Sequence, residues 1–284
     1  MILENNRKKV IIFRIILGII VFAILISAFV YFKITNKKND SSSNNNQLSV
    51  EEGNKTNENE ETIFKIDNIL LYSSANALNN SETQKDYWNL NIYQYTDMSI
   101  TINNHVYSDK LTSKNLVSKM YIDNVNFSVK PTLGTPGLFY KNPNSIGMPI
   151  VDDLDNQITD RLDFTVDSIN STVDYSKPSF YADCSNPLTL SYVNSNVYSS
   201  LIIKNNASSV TFDGSLLQKS GTKLSNIQAT VNFTIHIENA IAEEYVCDVE
   251  IPIPLEDESQ SILDGHYVTE LTNLEEYKFT KVIK

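Results

Sequence analysis

Residues 10–32, VIIFRIILGIIVFAILISAFVYF, are apolar except for Arg14, Gly18 and Ser27. At about 1.5 Å per residue, the uninterrupted part, 15–32, reaches roughly 27 Å as a helix, close to the hydrocarbon thickness of a bilayer. No later stretch repeats it. The run predicts a short head at 1–9, a transmembrane signal anchor at 10–33 and one large polar region after it. A cleavable signal peptide would have an apolar core of about 7–15 residues before a small-x-small site. This run is longer, and its only candidate end, Ile26-Ser27-Ala28, lacks the first small residue. The absence of a nearby cysteine excludes a lipoprotein signal.

Orientation follows from what flanks the run. Arg7, Lys8, Lys9 and Arg14 mark its start, and Lys33, Lys37 and Lys38 its end. Positive residues are retained inside, and here the two groups nearly balance. The head is too short to fold, and long acidic domains cross largely regardless of charge. The expectation is a single-pass protein of the cell membrane, head inside and C-terminal domain extracytoplasmic. A head of nine residues leaves no room for a cytoplasmic kinase or DNA-binding domain.

Charge is unevenly placed. The chain has 23 Lys and Arg against 34 Asp and Glu, and residues 1–40 hold seven of the first and two of the second. Beyond them stand 16 basic and 32 acidic residues, a net charge of -16. Such a surface repels nucleic acid and anionic lipid and suits a cationic partner, or serves solubility alone.

Residues 34–62 are polar and nearly without apolar side chains, so they cannot offset their ordering entropy by burial. They read as a disordered linker. Residues 63–284 then read as a mainly β, antiparallel sandwich-like domain. In 227–237 (IQATVNFTIHI) every odd position is apolar and every even one polar, the period of a half-buried strand. Residues 245–255 (YVCDVEIPIPL) repeat the odd phase, and the two segments predict a long antiparallel hairpin. Pro252 and Pro254 cannot donate to a ladder, so the end of the second strand belongs at a sheet edge. Alternation also marks Trp88, Leu90 and Ile92, then Met98, Ile100 and Ile102, and again Leu188, Leu190 and Tyr192, and Val210 with Phe212. Asn103-Asn104 suits a tight hairpin turn. Helix is expected only at 115–119 and at 215–219, the latter capped by Asp213 and stopped by Gly221.

Residues 131–150, PTLGTPGLFYKNPNSIGMPI, interrupt the pattern with Pro131, Gly134, Pro136, Gly137, Pro143, Gly147 and Pro149. They predict an internal boundary between two β subdomains, a crossover, or a long loop presenting Leu138, Phe139 and Tyr140 to a partner. Aromatic anchors on such a loop would form an interface.

Chemistry-bearing patterns are sparse. The acidic run Asp152, Asp153, Asp155, Asn156, Asp160 and Asp163 fails the EF-hand rule, since Ile158 and Phe164 stand where Gly and Glu are required. His105, His236 and His266 form no ligand pair, and His236 falls on the polar face of its strand. No phosphate loop, dinucleotide fingerprint or nucleophile elbow occurs. No cofactor or metal is expected, and no catalytic residue is assigned. Cys184 and Cys247 admit two readings. A disulfide between them would stabilise the fold by roughly 4 kcal/mol on the chain-entropy model, or both are unpaired buried thiols.

MYIDNVNF (120–127) and ADCSNPLTLSYVN (182–194) are similar to short pieces of uncharacterised single-pass bacterial membrane proteins of AT-rich genomes. The resemblance covers these phrases and the anchor–linker–β layout, and it implies no activity. The expected function is that of a non-enzymatic, membrane-tethered β module. It would meet lipid through one helix and a protein partner through its domain. The rivals are a subunit of an envelope secretion, conjugation or division machine, and a glycan-acting enzyme with two carboxylates facing across a cleft.

Overall fold

The computed structural model describes residues 63–78, 87–104, 111–148, 157–168, 171, 177–202, 215–253 and 261–283. The expected head, anchor and linker lie outside them. No helix among the described residues is long and apolar enough to cross a membrane. The protein is mainly β. Its strands are β1 Lys65–Leu78, β2 Tyr87–Asn103, β3 Val117–Val129, β4 Thr135–Tyr140, β5 Leu162–Asp167, β6 Ser179–Tyr181, β7 Leu188–Ile202, β8 Ala229–Asn239, β9 Glu244–Ile253, β10 Tyr267–Glu270 and β11 Thr280–Lys281. Among the described residues one short α-helix, α1 Leu216–Lys219, precedes β8.

Two sheets result. The first has strand order β10-β1-β2-β7-β4 and the second β11-β9-β8-β3-β5-β6. Neighbours are antiparallel except β5 and β6, which run parallel. The predicted hairpin forms: β8 and β9 pair from Ala229↔Ile253 to Glu238↔Glu244. Its odd residues, Val231, Phe233, Ile235, Cys247, Val249 and Ile251 among them, are buried. They meet Ile69, Leu71, Met98, Ile100, Leu190 and Tyr192 of the first sheet in one shared core. This is face-to-face sheet packing, in which alternate residues of the strands form the core.

Bulges keep apolar side chains inward where the sequence slips phase. Ile66 is buried at an even position, Ile69 and Leu71 at odd ones. The pairing of β1 with β2 shifts between Ile66 and Asn68 and absorbs the slip. One extra residue on one strand restores the face that a one-residue register error would turn outward. A second shift, between Ile92 and Gln94 of β2, puts the extra residue on β7, whose buried phase changes from Leu188, Leu190 and Tyr192 to Val197.

A second apolar cluster joins Leu90, Ile92 and Val197 of the first sheet to Leu216 and Leu217 of α1, with Leu224, Ile227 and Ile262. Burial on α1 and its adjoining turns, rather than on a strand, covers that part of the sheet. Gly221 follows α1 at φ 73, a left-handed value that Gly adopts without the Cβ penalty. Asp213, the expected cap, lies outside the described residues; Ser215 holds the N-cap position and makes no side-chain capping bond.

Three expectations are corrected. Residues 131–150 are not a subdomain boundary: β3 lies in the second sheet, β4 in the first and β5 in the second again, and strands from both halves of the domain share each sheet. The expected helix at 115–119 is a turn running into β3, because Val117 and Met120 are needed inside the core. Asn103-Asn104 makes no tight hairpin. Asn104 and Asn115 instead exchange side-chain amide to backbone carbonyl bonds of 2.8 and 2.6 Å, and the next described strand belongs to the other sheet.

Candidate functional site

A wide concavity follows the outer edge of β9. β11 pairs with that edge only at Tyr245 and Val246, and Val282 N donates to Glu244 O at 2.8 Å. From Cys247 onward no described strand lies beside it. Strand geometry then fixes which backbone groups face out. Val246 meets β11, so the same-phase residues Asp248, Glu250 and Pro252 turn their backbone away from β8. Pro252, opposite Thr230, thus sits where its missing N–H costs no ladder bond, as its sequence position anticipated. The Tyr277 hydroxyl donates to the outward Glu250 carbonyl at 2.6 Å.

The facing wall is the chain after β10. It leaves the edge of the first sheet, turns through a short 3₁₀ segment at Leu274–Glu276 and reaches the edge of the second as β11. Between this crossing and β9 lies a groove of about 1100 Å³. A bulge in β3, where pairing shifts between Asp123 and Asn126 and Asn124 takes φ 54, brings further amides to it. Asn is among the few non-Gly residues that enter this region readily. Asn124 Nδ2 donates to Thr234 Oγ1 at 3.3 Å and Thr234 Oγ1 to Asp248 Oδ1 at 2.7 Å. In the orientation that satisfies both its amide atoms, Asn232 donates to Glu250 Oε2 at 3.0 Å and accepts from Ser128 N at 3.2 Å.

The lining includes the carboxylates Asp248, Glu250, Glu270 and Glu276, four asparagines and three threonines, and no Lys, Arg or His. It presents acceptors, amides and negative charge. No group in it is an activated nucleophile of the kind built from Ser, Cys or Lys beside a base.

A buried, oppositely charged pair lies elsewhere, on the outer face of the first sheet. Asp97 of β2 and Lys141, next after β4, stand 3.4 Å apart with side chains 0% and 2% exposed. Asp97 accepts from Ser191 Oγ at 2.6 Å and from Gly147 N at 2.6 Å. Lys141 Nζ donates to Met148 O and lies 5.8 Å from the Tyr95 ring centroid. Burial pushes the Asp97 carboxyl up and the Lys141 ammonium down; each one's charge opposes the other's shift. Burial also raises the Tyr95 hydroxyl to about 12; it donates to Gly147 O at 3.1 Å. Strongly shifted groups are site candidates in general. Here the bonds to Gly147 and Met148 fasten 141–148 to Asp97, Lys141 and Tyr95, and Ser191 of β7 takes the other Asp97 oxygen.

The residues singled out from sequence fall as follows. Leu138, Phe139 and Tyr140 are not presented on a loop. They form the end of β4, paired with Tyr192, Ser191 and Leu190 of β7, at 1%, 9% and 6% exposure. Leu138 and Tyr140 enter the shared core, and Phe139 packs with Tyr95 and Val193 in a separate small cluster. The interface reading fails because the apolar side chains are consumed by packing.

Cys184 and Cys247 are free and buried. Cys247 pairs through Ile235 with Ile122 of β3, while Ala182, two residues before Cys184, accepts from Val117 N. Two strand spacings and five residues of β3 put the cysteines more than ~10 Å apart, beyond the reach of a disulfide. Burial raises both thiols, Cys247 to about 12.

His236 is half-buried rather than free on its polar face. It stacks on Tyr121 at 4.1 Å and 11°, bonds Asp123 Oδ1 through Nε2 at 2.9 Å, and Arg161 caps the Tyr121 ring at 3.5 Å. His266 Nδ1 meets the Tyr72 hydroxyl at 2.9 Å and Ser74 Oγ at 3.1 Å. His105 and Asp152, Asp153, Asp155 and Asn156 lie outside the described residues. Asp160 and Asp163 are exposed, the latter paired with Arg161. Among the described residues no group of three or more His, Cys, Asp or Glu could hold a metal ion.

Fold and site together define a two-sheet β domain with an acidic, amide-rich groove along one sheet edge. Comparison of the chain with protein-family models, curated proteins and solved structures finds no match.

Proposed function

We propose that the protein is a membrane-tethered, extracytoplasmic β module that works by binding a protein partner rather than by catalysis, with the groove beside β9 as its contact surface. The tether is the apolar run at 10–32, and 34–62 are the spacer that sets the domain off from the bilayer. The groove carries the reading: about 1100 Å³, against the 300–1,000 Å³ usual for ligand clefts. It is lined by hydrogen-bonding groups, while the buried Asp97–Lys141 ion pair lies outside it.

Photo-crosslinking in living cells tests it. A photoreactive residue at Thr272, in the groove wall, is expected to give a discrete adduct with one protein. The same residue at Lys119, exposed on β3 outside the groove lining, is expected to give none. Equal labelling from both positions, or none from Thr272, overturns the reading.

A further inference from the structure

We infer that the partner enters the groove as an extended, basic segment that adds as a strand to the free edge of β9. This rests on the binding reading above and names the partner's chemistry.

Three observations carry it. First, β9 has a stretch of edge, Cys247–Ile253, with no described strand beside it. Its outward backbone includes the N–H groups of Asp248 and Glu250 and the carbonyl of Pro252. An unpaired edge is a template for another strand, with main-chain bonds for affinity and side chains for choice. Seven residues at about 3.4 Å each give roughly 24 Å of edge. The Glu250 carbonyl, held by Tyr277, marks where the incoming strand would run beside the crossing wall.

Second, the charge of the groove is one-sided. Asp248, Glu250, Glu270 and Glu276 line it without a Lys, Arg or His. β9 alternates in phase with this: Asp248, Glu250 and Pro252 are exposed and Cys247, Val249 and Ile251 buried. A strand added in register would lay its own outward side chains beside the two carboxylates, where opposite charges across a pair are favourable and like charges are not. The same charges and Pro252 discourage a second copy of β9 from pairing with itself.

Third, the aromatic content is wrong for the main rival, a glycan. The groove's aromatics are Phe233 and Tyr277. Phe233 is 2% exposed, and the Tyr277 hydroxyl is committed to Glu250. That leaves the lining a single, partly buried ring, Tyr277, packed against the shared core, a poor platform for a sugar.

The test uses the whole chain in detergent with peptides of about seven residues, the length of the free edge. One alternates lysine with valine, a second alternates glutamate with valine, and a third is the lysine peptide N-methylated at alternate residues. The lysine peptide is expected to bind saturably and to weaken with salt. The glutamate and N-methylated peptides should bind about tenfold or more weaker. Glu250→Gln with Glu276→Gln should lower affinity for the lysine peptide about tenfold at unchanged melting temperature. Equal binding of the lysine peptide and its N-methylated form overturns strand addition. Equal binding of the glutamate peptide overturns the charge argument. A crosslink from Thr272 with no peptide binding overturns this inference alone and leaves the binding reading standing; loss of both removes the groove as a contact surface.

Discussion

Asp97 and Lys141 form an ion pair 3.4 Å apart from which water is excluded on both sides. Such a pair contributes little over an apolar substitute, but losing one member leaves the other charge buried. Lys141→Met should therefore destabilise the domain by roughly 3–5 kcal/mol. Adding Asp97→Asn should recover much of that loss, since Asn still accepts from Ser191 or Gly147. Denaturant melts of the single and double variants give the coupling; additive losses would mean that the two residues act independently.

Tyr95 gives an alkaline signature. Its hydroxyl is raised from 10.0 to about 12, burial being the largest cause. A proton held more tightly in the folded state stabilises fully below the unfolded value and is lost as pH rises through the folded one. Wild type should lose stability between about pH 10 and about pH 12, and Tyr95→Phe should lose less over that window. Melts across the window, with phenolate absorbance as the titration record, check both the sign and the range.

Cys184 and Cys247 should behave as two masked thiols. The thiolate is the reactive form, and burial disfavours it at both positions. A thiol reagent should add nothing to the native protein and two groups after denaturation without reductant. A native mass lower by two hydrogen atoms, with no labelling on unfolding, would instead mean a bridge.

Phe233 and Thr230 lie on the same strand with opposite tolerance for charge. Phe233 is buried in the shared core, whereas Thr230 is partly exposed opposite Pro252. Phe233→Asp should cost about 4 kcal/mol or more and lower the melting temperature by roughly 10 °C. Thr230→Asp should shift it by no more than a few degrees. Thr234 is unsuited as the control despite its even position, because it is 7% exposed and bonded to Asp248.

The tether has its own test. Protease added to intact protoplasts should remove the β domain and leave a small membrane-bound fragment containing 10–32. A fully protected domain would reverse the proposed topology.

How much of this was legible depended on where regular spacing survives. β8 and β9 could be read almost to the residue, because an uninterrupted period of two leaves no other fold for the apolar side chains. β1 could not. Its bulge puts Ile66 and Ile69 three apart, and three successive residues, Ser73, Ser74 and Ala75, are buried, which erases alternation. β4 was hidden by Pro136 and Gly137, which look like turn formers but sit at the free end of a strand held on β7. The groove had one visible wall, the polar phase Asp248, Glu250 and Pro252. Its other wall follows a strand of four residues, too short to show a period, and the meeting of 124, 250 and 277 is a product of topology alone.

The crossing after β10 also sets the order in which the molecule can be finished. β1, the first strand described, is closed on its outer side by β10, with Asn68 and Glu270 bonded across 202 residues of sequence. Lys65 makes a further bridge to Lys278. A chain made from its N-terminus must hold β1 half-paired until β10, 202 residues on at the Asn68–Glu270 bond, has followed. Contacts this distant cost loop-closure entropy before they return any stability, so folding is slow and leaves strand edges exposed meanwhile. The segment from β10 to β11 therefore acts as a latch: until it crosses, neither described sheet is complete and the groove has only one side.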